Sequence, residues 1–141
     1  MNKDALSVLV IDDDPGVATT VEWSLRHFGC TVHVTLQAKQ GLALAQSIKP
    51  DVILCDAAMP DLDGGKLIAL LKSEPTTAHI PVVLMTGHSD VRSFSDVPFN
   101  AFVEKPFSPI KLFELLQRTA ADGVPAKVEE SLSDGFLVAP S

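Results

Sequence analysis

Basic residues are scarce in this 141-residue chain: eleven Lys and Arg stand against eighteen Asp and Glu, a formal net charge of −7. A surface that acidic is repelled by a phosphate backbone, so the chain by itself is a poor candidate for binding DNA or RNA. Only two cysteines occur, Cys30 and Cys55, with neither a Cys-x-x-Cys pair nor a dense pattern. Reduced thiols in a cytoplasmic protein are therefore expected, not a disulfide scaffold. His27, His33, His79 and His88 lack the His-x3-His or Cys-His spacing of a transition-metal site. No apolar run approaches the roughly 18 residues that cross a membrane. The opening Met-Asn-Lys-Asp-Ala-Leu-Ser carries no apolar run after a basic stretch, so no secretory signal is expected.

With 46% hydrophobic and 21% charged residues, the composition is globular. A chain of this length suits one domain, buries roughly two thirds of its unfolded surface, and leaves no expected room for a separate output domain. Val8-Leu9-Val10-Ile11, Val52-Ile53-Leu54-Cys55 and Val82-Val83-Leu84-Met85 are short continuous apolar runs, as in strands buried on both faces. Thr31 to Leu36 instead alternates polar and apolar, which suits an edge strand, and the short, mixed Ala101-Phe102-Val103-Glu104 suits the opposite edge. Between them, Pro15 sits at a first-turn position after an Asp-rich cap. Val17, Val21, Leu25 and Phe28 then form one stripe, ended by Gly29. Further helices are predicted over 38–48, 65–72 and 109–119, and a short or irregular one between Thr86 and Ala101.

Strand–helix alternation of this kind predicts an α/β doubly wound sheet of five parallel strands in the order 2-1-3-4-5, with helices on both faces. The folded domain is expected over 5–120. Residues 121–141, punctuated by Gly123, Pro125, Gly135 and Pro140, read as a linker-like tail whose one apolar patch is Phe136-Leu137-Val138.

Ligands of such sheets bind beyond the carboxyl ends of the strands. There the first strand runs into Asp12-Asp13-Asp14, the third into Asp56, the fourth into Thr86, and Lys105-Pro106 follows the fifth. Taken singly, an Asp at a strand end is more often a helix cap, a Thr a turn residue and a Lys a solvated charge. Together they are a set. Two carboxylates about 4 Å apart repel by about 4 kcal/mol at an effective dielectric near 20. A divalent cation such as Mg²⁺ offsets that repulsion, and a hydroxyl and an ammonium opposite it complement a phosphoryl group.

The segments Val8-Leu-Val-Ile-Asp-Asp-Asp-Pro15, Pro50-Asp-Val-Ile-Leu-Cys-Asp-Ala-Ala-Met-Pro-Asp-Leu-Asp-Gly64, Ile80-Pro-Val-Val-Leu-Met-Thr-Gly87 and Phe102-Val-Glu-Lys-Pro-Phe107 resemble the receiver (CheY-like) domain of two-component response regulators. The resemblance covers roughly Ser7 to Ala120. It implies that Asp56 is the phosphoacceptor, taking a phosphoryl group from a histidine kinase or phosphotransfer protein. Asp13 then binds Mg²⁺ directly, Asp12 mainly through water, and the Ala58 backbone carbonyl completes the protein ligands. Thr86 and Lys105 take phosphoryl oxygens, and Lys105-Pro106 is a candidate cis peptide. Phe102 matches the switch aromatic that follows Thr86 inward on phosphorylation, altering the surface of the helix after the fourth strand, the fifth strand and the last helix. The plainer reading of Phe102 as a packing residue stays open. The chain is then no enzyme beyond chemistry on its own aspartate. It is a cytoplasmic signalling protein, monomer or weak homodimer, with an unknown downstream protein target and no direct contact with nucleic acid or membrane.

Asn100 stands where the family often has glycine, and Lys105 follows Thr86 by only 19 positions with Pro98 between. Both argue against a regular intervening helix and against a standard dimer through it. Ala58 and His88 occupy positions that tune dephosphorylation: a small Ala58 leaves room for attacking water, whereas His88 either obstructs or orients it. Trp23 lies opposite the Val17–Phe28 stripe and is a candidate partner-docking residue, or else lies flat on its neighbours. The last helix carries Ile110, Leu112, Phe113, Leu115 and Leu116, a stripe wider than one core face requires, which suits self-association or docking of the tail. Two rival readings use other chemistry. A haloacid-dehalogenase-type phosphatase would use the Asp12-x-Asp14 pair as nucleophile motif, though Asp56 would then have no role. A pseudo-receiver would bind partners without accepting phosphate.

Overall fold

A computed structural model describes residues 5–57, 59, 64–87, 98–122 and 136–138. In chain order the elements are β1 (Ser7–Ile11), α1 (Pro15–His27), β2 (Thr31–Thr35), α2 (Ala38–Ile48), β3 (Val52–Asp56), α3 (Gly64–Ser73), β4 (Val82–Thr86), β5 (Ala101–Glu104), α4 (Pro109–Asp122) and β6 (Phe136–Val138). The first five strands are parallel and lie in the expected order 2-1-3-4-5. The helix expected between β4 and β5 falls on 88–97, outside the described residues.

Successive side chains of a strand point to opposite faces, and the apolar runs divide accordingly. Val8 and Val10 of β1, Val52 and Leu54 of β3, and Val83 and Met85 of β4 pack with Val21 and Leu25 of α1 and Leu112, Leu115 and Leu116 of α4. The alternate residues Leu9, Ile11, Ile53, Cys55, Val82 and Leu84 pack with Ala38 and Ala45 of α2 and Leu67, Ile68 and Leu71 of α3. Each fully buried Leu or Ile contributes about 1.5–3 kcal/mol. Both faces being covered is why these strands carry no alternation. At β2 the alternation survives: Val32 is buried while Thr31 and His33 are exposed. That strand is the edge on its side. On the second face, Gly41 lets α2 close onto β1, since a Cβ there would meet Ile11 Cδ1 at 2.8 Å.

Local chemistry fixes the ends of α1. Asp14 caps it, its Oδ1 accepting from Gly16 N at 2.9 Å and Val17 N at 3.3 Å, with Pro15 in the first turn. Beyond its end Gly29 takes φ +92°, a conformation that costs glycine little. Phe28 stacks on Phe113 of α4 with ring centroids 4.9 Å apart, so part of the wide α4 stripe is used against α1. Ile110 of that stripe stays 43% exposed.

The far edge departs from expectation. β5 does not end the sheet: Phe136–Val138 pairs antiparallel with it, as Ala101↔Val138, Phe102↔Leu137 and Val103↔Phe136. The patch read as part of a linker-like tail thus supplies a sixth strand. Its pairing depends on a contact remote in sequence, which three apolar residues among Gly, Pro, Ser and Glu do not announce.

Candidate functional site

The parallel strands deliver their carboxyl ends to one rim. Asp12 follows β1 directly, its N–H donating to Thr35 O of β2 at 3.2 Å, and its side chain is wholly buried. Asp12 Oδ1 accepts the Asp14 N–H at 2.9 Å, so the chain's turn into α1 holds that oxygen in place. Asp56 closes β3, and Ala57 N donates to Met85 O at 2.8 Å, which clamps the end of β3 to β4. Thr86 closes β4 and is buried. Lys105 N donates to Thr86 O at 2.9 Å, so the cation-bearing residue is tied to the hydroxyl-bearing one through backbone.

The side chains converge. Lys105 Nζ donates to Asp56 Oδ1 at 3.1 Å and lies 3.5 Å from Asp12 Oδ2. One carboxylate oxygen from each of Asp12, Asp13 and Asp56 falls in a cluster no wider than 4.8 Å. Asp13 is the more accessible of the three. Burial pushes the Asp12 carboxyl above the usual carboxylate range, and the Asp14 N–H and Lys105 pull it back only in part. Burial also raises Asp56, and the Asp12 charge adds to it against Lys105. At Lys105 burial works against the ammonium, yet the Asp56 and Asp12 charges outweigh it and raise its pKa. One ammonium among three carboxylates leaves a net negative, half-dry site.

Two buried atoms sharpen the picture. Among the described residues Thr86 Oγ1 has no hydrogen-bond partner, and Asp12 Oδ2 has only its 3.5 Å ion pair with Lys105 Nζ. An orphaned buried polar group costs about 1–3 kcal/mol, so a native fold keeps one where something else satisfies it. Three carboxylates against one ammonium fit a small hard cation with oxygen ligands. A buried hydroxyl without a partner among the described residues fits an anion's oxygen.

Asp12, Asp13, Asp56, Thr86 and Lys105 are therefore brought together. Lys105–Pro106 is cis. Phe102 lies in the middle of β5, 6% exposed, its ring edge-on to Phe99 with centroids 5.8 Å apart. It belongs to the α2–α3 side of the core. Asp14 is engaged as a cap, which leaves the Asp12-x-Asp14 pair without a second free carboxylate. Trp23 is 73% exposed on α1. Ala58 and His88 lie outside the described residues.

Against known proteins, residues 8–117 match the model of the response regulator receiver domain. The chain belongs to that family. Among curated relatives, the response regulator PleD of Caulobacter vibrioides is 35% identical over 109 residues, covering 75% of this chain and 24% of that protein. The DNA-binding dual master transcriptional regulator RpaA of a Synechocystis strain is 31% identical over 138 residues, covering 92% of this chain and 57% of RpaA. The chain thus spans a quarter to about half of these relatives. Among solved structures, the chemotaxis response regulator CheY4 of Vibrio cholerae superposes with a TM-score of 0.74 at 26% identity, over 81% of this chain and 98% of that one. The receiver domain of the sensor histidine kinase PA1611 of Pseudomonas aeruginosa gives a TM-score of 0.78 at 25% identity, over 83% and 98%. That domain has a magnesium ion coordinated in its active site cleft. This receiver carries the corresponding kind of acidic cluster.

Two features escaped the sequence. A groove of about 730 Å³ runs beside Lys105, lined among others by Gly16, Val17, Thr20, Pro106 and Phe107. Val17, a member of the apolar stripe of α1, is only half-buried and also lines this groove. On the opposite rim, Asn100 is not merely a replaced glycine. Its Oδ1 accepts from Val82 N at 2.7 Å and from Lys72 Nζ at 3.0 Å. The signal was an amide beside a strand start, legible only once its partners 18 and 28 positions away are known.

Among the described residues, no helix is long and apolar enough to cross a membrane.

Proposed function

We propose that this receiver is a phosphoacceptor of a two-component or phosphorelay system, with Asp56 the residue modified and Mg²⁺ its cofactor. An Asp56 carboxylate oxygen attacks phosphorus of a phosphohistidine on a kinase or phosphotransfer protein. The P–O bond forms as the P–N bond breaks, and the electron pair leaves with the imidazole nitrogen, which takes up a proton. The transferring group is largely metaphosphate-like, so orientation and neutralisation supply most of the acceleration. Asp12, Asp13 and Asp56 would hold the cation, with the Ala58 carbonyl by family resemblance. When bound, Mg²⁺ supplies positive charge that offsets the carboxylates and the phosphoryl oxygens. Lys105 keeps Asp56 ionised and in place before transfer, then receives a phosphoryl oxygen. Thr86 Oγ1 donates to another.

The chain is on this reading a substrate of its kinase, cytoplasmic, and not an enzyme in its own right. Its output is a changed surface around Phe102, β5 and α4 that a downstream protein recognises. The observation carrying the proposal is the convergence of the Asp12, Asp13 and Asp56 carboxylates with Lys105 at one rim, beside a buried Thr86 hydroxyl that has no hydrogen-bond partner among the described residues. Incubation with acetyl phosphate and Mg²⁺, followed by mass spectrometric mapping, tests it. Label on Asp56, absent from Asp56→Asn, is expected. Label on Asp12 would favour the phosphatase chemistry, and no label a binding-only module.

A further inference from the structure

The described sheet has one strand that the receiver architecture does not require. β6 covers the outer edge of β5, and the alternation of β5 says which groups it satisfies. Asn100 donates its N–H to Val82 O on the β4 side. Strand alternation turns the Phe102 N–H the same way and those of Ala101 and Val103 outward. Those are the residues opposite Val138 and Phe136, so both outward amides of β5 fall in hydrogen-bonded pairs with β6. Phe102↔Leu137 is the intervening pair.

The two edges of the sheet are protected differently. β2, the open edge, presents exposed Thr31 and His33. β5 is Ala-Phe-Val followed by Glu104, its first three residues buried. Uncovered, it would be a flat apolar edge with free amides, a template for another strand. The antiparallel register centred on Phe102 is also self-complementary. A second β5 laid there would oppose Ala101 to Val103 and Phe102 to itself about a two-fold axis. Residues 123–135 join β6 to α4, and a linker of that length gives the cis strand an effective concentration of about millimolar. The cis strand therefore outcompetes a second copy in dilute solution.

We propose that the outer edge of β5 is a strand-docking surface for a second copy of this chain, and that Phe136–Val138 is its built-in cis plug. The surface does not depend on phosphate chemistry. The full-length Phe136→Pro/Val138→Pro variant tests it, because proline removes the amides that pair with β5. Hydrogen exchange at Ala101 and Val103 is expected to quicken at least about ten-fold in dilute variant. Sedimentation at about 0.3 mM is expected to show a dimer with those amides protected again, and excess peptide 133–141 to return it to monomer. Leu137→Pro, whose N–H faces away from β5, is expected to keep the plug. Unchanged exchange in the double variant overturns the plug, and equal loss in Leu137→Pro overturns the register. Exposed amides in a chain that stays monomeric, or aggregates without a dimer limit, overturn the docking surface.

Discussion

The two rims of this sheet treat a lysine in opposite ways. At the carboxyl rim Lys105 sits between Asp56 and Asp12, its pKa raised, beside carboxylates that remain in excess and a Thr86 hydroxyl without a partner among the described residues. At the amino rim Lys72 is held by neutral oxygens: Ile80 O at 2.8 Å, Asn100 Oδ1 at 3.0 Å and Ala78 O at 3.5 Å. Burial there lowers its pKa. Asn100 also binds the start of β4, so the ammonium closes a network that fixes the loop before the strand. One rim is saturated and the other is not. Saturated polar networks rigidify a fold, whereas buried groups left wanting mark where a ligand completes it.

Exchanging the two lysines for methionine separates these roles most sharply. Lys105→Met should cut acetyl-phosphate labelling of Asp56 by about 10²-fold, the usual effect of removing one preorganised charge at a reacting centre. Lys72→Met should leave labelling within about two-fold but lower stability by about 2 kcal/mol, because Ile80 O loses the ammonium and Asn100 Oδ1 keeps only the Val82 N–H. Labelling rates and urea unfolding on both variants check this pair together. If Lys72→Met impaired labelling as much as Lys105→Met, the division between rims would fail.

A smaller effect concerns repulsion at the carboxyl rim. Without metal, Asp12→Asn should stabilise the protein by about 1–2 kcal/mol at neutral pH, since it removes a buried charge next to Asp56. The pH dependence follows from the same cause. Asp12 and Asp56 titrate above the 3.8 of a free carboxyl, so the folded state holds their protons more tightly than the unfolded state. Their contribution is fully present below pH 3.8 and is lost as pH rises through the raised folded values. Lys105 acts at the other extreme: its contribution holds below 10.5 and fades only as pH passes its raised value. Denaturant midpoints across the acid range should therefore fall less steeply with rising pH in Asp12→Asn than in the parent. Smallest of all is the cap. Asp14→Ala should cost about 1 kcal/mol with labelling retained, since that carboxylate serves Gly16 and Val17 rather than the site.

How much of this was legible beforehand follows from how local each cause is. β1, β3 and β4 could be read from Val8–Ile11, Val52–Cys55 and Val82–Met85, since a strand buried on both faces needs an unbroken apolar run. The cap at Asp14 and the stop at Gly29 are equally local. The site was legible because parallel strands must end at one rim, so Asp12, Asp56, Thr86 and Lys105 are neighbours by topology alone. β6 was not legible as a strand: three apolar residues in a polar stretch gain a partner only after β5 exists. The Lys72–Asn100–Val82 network was hidden for a similar reason, its members being brought together only by the completed α3 and β4. Orphaned oxygens are invisible to any sequence, because an unmade hydrogen bond is a property of packing.

Thermal unfolding of the metal-free protein, repeated with millimolar Mg²⁺, bears most directly on the claim that the acidic rim is built to be completed. Binding at about 100 times Kd adds about 2.7 kcal/mol. A rise of several degrees is therefore expected, and Asp56→Asn should largely abolish it. A melting temperature indifferent to Mg²⁺ in the parent chain would contradict it.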